Sequence, residues 1–218
     1  EVEYKKDKLP KEVSLAMPGY VMNLANSLIS SVLSERFEEI TMQADAPFAA
    51  AMAGYSELVK SKDAFQMVVV PKEGKELEGL NALLLEAEKM KRFGFTNAEL
   101  ERAKTNMLKN FEKSYNERDN QKSISLAREY IRHYLSNEPI PGIEFEYQTV
   151  QMILPQLKTE MINQLAKSYV SDTNVVISVM APEKANVKVP TESQILAAID
   201  ATQKAELTAK AEEVMNKP

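Results

Sequence analysis

Between Pro18 and Thr41 the apolar side chains fall at Val21, Leu24, Leu28, Val32, Leu33, Phe37 and Ile40. Steps of three and four keep these on one face of a helix, so the spacing predicts an α-helix that begins after Pro18-Gly19 and ends near Thr41. A helix of that length is about twice the globular average and offers one long apolar stripe. The stripe must be laid on another layer, and the flanking sequence supplies one. Val2 and Tyr4 alternate with charge in Glu1 to Lys6, which predicts a first strand. "AFQMVVVP" alternates, runs through Met67, Val68, Val69 and Val70, and stops at Pro71. "PFAAAMAGYSELVKS" is a weaker strand pattern, read as an antiparallel partner joined near Ser61-Lys62-Asp63.

The remainder reads mainly as helix. "KELEGLNALLLEAEKMKRFG" places Leu77, Leu80, Leu84, Ala87 and Met90 or Lys91 near one face, with Gly94 suited to the position after the last turn. Thr96 with Glu99 three residues later forms a capping-box pattern, and Leu100, Ala103, Met107, Leu108 and Phe111 continue an apolar face behind it. "QKSISLAREYIRHYLSNEPIPG" is a further helix, stopped by Pro139 and Pro141. Two short helices flank Pro155, and "NVVISVMAPEK" reads as a largely buried strand. A second capping-box pattern, Thr191 with Gln194, opens a last helix. Few strands separated by many helices imply an α+β fold with helices on one face of a largely antiparallel sheet.

The residue inventory closes most routes to chemistry. Without cysteine, disulfides, thiol catalysis and thiolate metal sites are excluded. With His133 as the single histidine, a zinc site of two histidines one turn apart cannot form. Glu129 lies four residues before His133, which suits an ion pair on one helix face. Glu38 and Glu39 are adjacent on a helix and point about 100° apart, which reads as a solvated face. No Gly-x-Ser-x-Gly elbow or phosphate-cradling glycine loop is present. Met67, Met90, Met107, Met152 and Met161 fall in apolar patterns and read as core filling. The net charge of −5, without a basic block, argues against nucleic acid as a partner. No run of about 18 apolar residues predicts membrane insertion.

Three strings, in order, resemble one family. "LSERFEEI" (Leu33 to Ile40), "GFTNAELERAK" (Gly94 to Lys104) and "SYVSDTNVVISVMAPE" (Ser168 to Glu183) are similar to segments of the second, non-zinc-binding domain in the pitrilysin/insulinase family of zinc metalloproteases. The resemblance covers roughly residues 1–183, with the long bacterial four-domain members nearest in general look. It implies an α/β sandwich of the pitrilysin/mitochondrial processing peptidase type, with helices packed on one face of an antiparallel-rich sheet. It also implies that zinc sits in an upstream domain of a longer parent and that this fragment carries no catalytic, cofactor or metal residue. In the family, one copy of this fold offers an Arg and a Tyr to the substrate. Those positions fall here at Thr41 and near Phe48, which lack the cation and the hydroxyl and so read as eroded substrate contacts.

The resulting expectation is a non-catalytic, chamber-building domain at 1–183, followed by a linker or helical tail at 184–218 leading toward a next domain. Its partners would be neighbouring domains of the same chain and, through the parent, peptide substrate. The alternative is an interaction or scaffold domain of a catalytically inactive family member. The resemblance leans toward the bacterial periplasm or cell envelope.

Overall fold

The computed structural model describes residues 1–136, 138–182, 184 and 187–212. Strand β1 (Val2–Asp7) is followed by a one-turn helix α1 (Lys11–Ser14) and the long helix α2 (Met17–Thr41). A hairpin of β2 (Phe48–Val59) and β3 (Lys62–Pro71) comes next, then α3 (Glu76–Phe93), α4 (Asn97–Asn116) and α5 (Ser123–Ser136). The chain continues through α6 (Ile143–Ile153), a 3-10 turn at Leu154–Gln156, α7 (Thr159–Tyr169), β4 (Val175–Ile177) and α8 (Glu192–Lys204).

The sheet runs in the order β2-β3-β1-β4, and all its pairings are antiparallel. Its register follows the alternation in the sequence. Val2 faces Met67 and Tyr4 faces Phe65, so these four side chains share the inner face and are buried. The outer face is polar: the Gln66 amide donates to Glu3 at 2.8 Å, and Ser56 donates to the Gln66 carbonyl at 2.9 Å. One wet face and one dry face confine the helices to a single side, as the sequence pattern implies.

On the dry face α2 buries Leu24, Leu28, Ile29, Val32, Leu33 and Phe37, and α3 buries Leu80, Leu83, Leu84, Ala87 and Met90. Each large apolar side chain withdrawn this way stabilises the fold by about 1.5–3 kcal/mol. Tyr169 of α7 stacks on Phe65 and leans on Tyr55, at 5.2 Å between ring centroids in each case. Both expected capping boxes form, at Thr96/Glu99 and Thr191/Gln194.

Two expectations need correction. The last strand is only three residues long and half-buried. It sits at the sheet edge and pairs with β1 alone, at Val2–Tyr4, so once β1's start is passed it has no neighbour. Met180 is consequently 91% exposed, and Glu183 falls outside the described residues. Met152 and Met161 are exposed rather than core-filling, because they lie on the outward sides of α6 and α7. Helix α5 buries no residue: Ile124, Tyr130, Ile131, Tyr134 and Leu135 all face outward. Its amphipathic pattern is present, but no element among the described residues covers the apolar side.

Candidate functional site

The most heavily buried charges form one centre where α2, α3 and α4 meet. Arg36 interrupts the apolar stripe of α2 one residue before Phe37. Its guanidinium grips Glu99 with two hydrogen bonds, Nε to Oε1 at 2.7 Å and Nη2 to Oε2 at 2.8 Å. Nη2 also donates to the Gly94 carbonyl at 3.0 Å, and the group lies 5.0 Å over the Phe95 ring. Glu99 serves twice, since its Oε2 also accepts the Thr96 amide at 2.8 Å to complete the capping box of α4. Burial opposes ionisation of Glu99, but the Arg36 hydrogen bonds, the Thr96 amide and the charges of Arg36 and Lys210 outweigh it and hold its pKa at about 2. Glu86 adds a second carboxylate 3.9 Å from Arg36.

The loop before α4 is fixed by two local devices. Gly94 adopts φ +74°, and a Cβ there would lie 2.4 Å from the Asn163 side chain. That close approach lets the Asn163 amide accept from the Phe95 N–H at 2.7 Å and donate to the Phe95 carbonyl at 2.9 Å, as a neighbouring strand would.

The tail closes over the same centre. Helix α8 lies against α3 and buries Ala198 and Thr202. Arg92 of α3 donates to the Gln203 carbonyl at 2.6 Å and the Ala205 carbonyl at 2.8 Å. Further on, Lys210 pairs with Glu39 at 2.6 Å and stands 3.5 Å from Glu99. Glu212 accepts the Ala98 amide at 2.9 Å and the Asn97 amide at 3.3 Å, at the positive end of α4.

A groove of about 550 Å³ runs along the free edge of β2. Its floor is a polar face of α2, made by Asn23, Ser27, Ser30, Ser31 and Ser34 at helical spacing, and its wall is Ala53 to Tyr55. The Ser34 hydroxyl accepts the Ala53 amide at 3.1 Å, so one edge amide is already engaged. The Ser30 hydroxyl beside it is buried and has no partner among the described residues. This serine stripe is visible in the sequence at steps of three and four, opposite the apolar stripe, and reading for core positions passes over it.

The residues singled out from sequence scatter. Thr41 ends α2 and turns its hydroxyl back to the Glu38 carbonyl at 2.7 Å. Phe48 is wholly buried, edge-on to Phe37 at 6.4 Å, so a hydroxyl at this position would face the core. His133 is exposed on α5, with Nδ1 2.7 Å from the Glu138 carbonyl oxygen, and Glu129 is partly buried on the same helix. Glu38 is exposed, while Glu39 meets Lys210. Among the described residues no three His, Cys, Asp or Glu side chains come together as a metal site, so these residues do not offer zinc a ligand set.

No protein-family profile matches the chain. Among curated proteins, a zinc protease described as PQQL-like from Arabidopsis thaliana is 26% identical over 178 residues, which are 82% of this chain and 16% of that protein. The chain therefore spans a small part of the curated relative it matches. Among solved structures, the periplasmic protease PqqL from Escherichia coli superposes with a TM-score of 0.84 at 15% identity, over 100% of this chain and 24% of its own. A predicted insulinase family protease from Yersinia pestis gives 0.74 at 11% identity, over 92% of this chain and 42% of its own. The resemblance carried by the three motifs thus holds in sequence and in architecture: this chain has the fold of an insulinase/pitrilysin-type protease domain and is similar to zinc proteases of the PqqL kind.

Proposed function

We propose that residues 1–183 form a non-catalytic, chamber-building domain of a zinc metalloendopeptidase, and that residues 184–218 lead from it toward a next domain. In this reading zinc and the catalytic groups lie in an upstream domain of the parent. This chain supplies wall surface and, along the free edge of β2, a place where extended peptide lies. A periplasmic setting follows by analogy with PqqL.

The observation that carries the reading is α5. A helix with no buried residue and an apolar side of Ile124, Ile131, Tyr134 and Leu135 is an unfinished interface, as expected of a domain that matches a quarter of a longer protease. The test is hydrogen exchange on this chain alone and on a longer protein that includes the roughly 200 residues upstream, the usual span of one domain. The amides of α5 should exchange fast in the first and be protected in the second. Equal exchange in both would sink the proposal, as would peptide hydrolysis by the 218-residue chain with stoichiometric zinc.

A further inference from the structure

A second concavity, of about 640 Å³, has no place in the function proposed above. It lies between α2 and α4 and is bounded at one end by Glu138, Pro139 and Pro141, ahead of α6. Its walls include Leu24, Met107, Phe111 and Phe145. Two polar groups in this apolar setting are without partners. The Tyr20 hydroxyl is buried and has no hydrogen-bond partner among the described residues. The Glu146 carboxyl is partly buried, and no hydrogen bond or ion pair to it occurs among the described residues.

The charged side chains that line the cleft are both acidic. Glu138 and Glu146 line it, and no Lys or Arg does. Glu138 is already paired with Arg132 at 3.0 Å, which leaves Glu146 as the unspent charge. We propose that this cleft binds a primary ammonium carried on an aliphatic or aromatic body, with the Glu146 carboxylate and the Tyr20 hydroxyl oxygen each accepting one of its N–H bonds. An ammonium is three donors and no acceptor, so it satisfies both oxygens at once, while its apolar body fills the space between Met107, Phe111 and Phe145. A neutral alcohol brings one donor and no charge.

Protonation gives the site a signature. Burial, then Glu129 of α5 and Glu138, raise the proton affinity of Glu146, and Arg132 of α5 opposes them. Tyr20 of α2 is pushed up to about 12, by burial and by Glu146, and stays neutral. Since the ammonium needs the carboxylate, binding strengthens as pH rises through the Glu146 titration and releases a proton.

Calorimetric titration of the 218-residue chain with hexylamine, and with hexanol as the neutral equivalent, tests this. Hexylamine should bind once per chain and at least about tenfold tighter than hexanol, and Glu146→Gln should weaken it by about the same factor, the usual worth of a charge-assisted hydrogen bond. Tyr20→Phe should weaken it severalfold. Affinity of the unaltered chain should climb as pH rises past the ordinary carboxylate range, because the Glu146 carboxyl is raised above it. A Leu-Lys-Leu tripeptide blocked at both ends, set against its norleucine counterpart, separates the two sources of this chemistry: binding by the peptide makes a lysine side chain the occupant, and binding by hexylamine alone makes it a free amine. Equal affinity for hexanol, or a flat pH profile, overturns the proposal even if Glu146→Gln does not fold.

Discussion

Replacing Arg36 by Met should cost more stability than any other single surface-to-core charge change in this chain. The residue is 5% exposed, and the substitution removes two hydrogen bonds to Glu99 and one to the Gly94 carbonyl. Met fills much of the same volume, so the loss is electrostatic rather than a cavity. Breaking a buried pair by removing one partner costs about 3–5 kcal/mol, because the remaining charge stays buried. For a domain of this size that corresponds to a fall in Tm of roughly 10 °C. Urea unfolding followed by circular dichroism measures it directly. The double variant Arg36→Met with Glu99→Gln keeps a capping partner for Thr96 and removes the orphaned charge. It should therefore be more stable than Arg36→Met alone. The pH dependence has a defined sign. Glu99 has a depressed pKa in the folded chain, so its contribution is full above about pH 4.5, its ordinary value, and is lost as pH falls toward about 2. The contribution at neutral pH amounts to about 3 kcal/mol for a shift of that size. The deficit of Arg36→Met should accordingly shrink over the same window, as Glu99 protonates. A loss below about 1 kcal/mol, or a double variant that is the plain sum of the singles, would refute the argument from buried charge.

Other changes have equally specific outcomes. Gly94→Ala must accommodate φ +74° and a Cβ 2.4 Å from Asn163, so it should lose at least about 2 kcal/mol by thermal melting and speed amide exchange at Phe95. Phe48→Tyr places a hydroxyl against Phe37 in the core and should lose about 1–3 kcal/mol, an outcome that a solvent-facing position 48 would not produce. Ile131→Lys with Leu135→Lys should leave unfolding within about 0.5 kcal/mol of the unaltered chain while reducing dye binding by exposed apolar surface. In a protein that includes the neighbouring domain, the same pair should disrupt the association.

Local chemistry was readable wherever partners lie within one turn. Thr96 with Glu99, Thr191 with Gln194, and Gly94 after α3 follow from short spacing and appear as expected. The hairpin was readable because β2 and β3 are contiguous. The Arg36–Glu99 centre was not, because its partners are 63 residues apart. The available clue was an arginine inside "LSERFEEI" at a core-facing register, where a charge demands a buried partner. The exposure of α5 could not be read either: periodicity shows that a helix has an apolar side, and says nothing of whether the cover lies in the same stretch of chain. Thr41 and Phe48 came from alignment to a motif, and the different fates of their side chains depend on where α2 ends and how β2 enters the sheet.

The position of β1 sets an order of events during synthesis. Residues 2–7 occupy an interior lane of the sheet, yet their two neighbours are β3, at 62–71, and β4, at 175–177. The first strand of this sheet is thus flanked on one side by a segment made some 170 residues later, by the difference of the two positions. As the chain emerges from the ribosome, β1 can pair with the hairpin early, but its other edge stays open until most of the sequence has been released. Such distant closure slows folding and leaves a bare strand edge waiting. Lys5 and Lys6, just past the part of β1 that β4 pairs, place charge along that waiting edge, which discourages its pairing with another nascent chain.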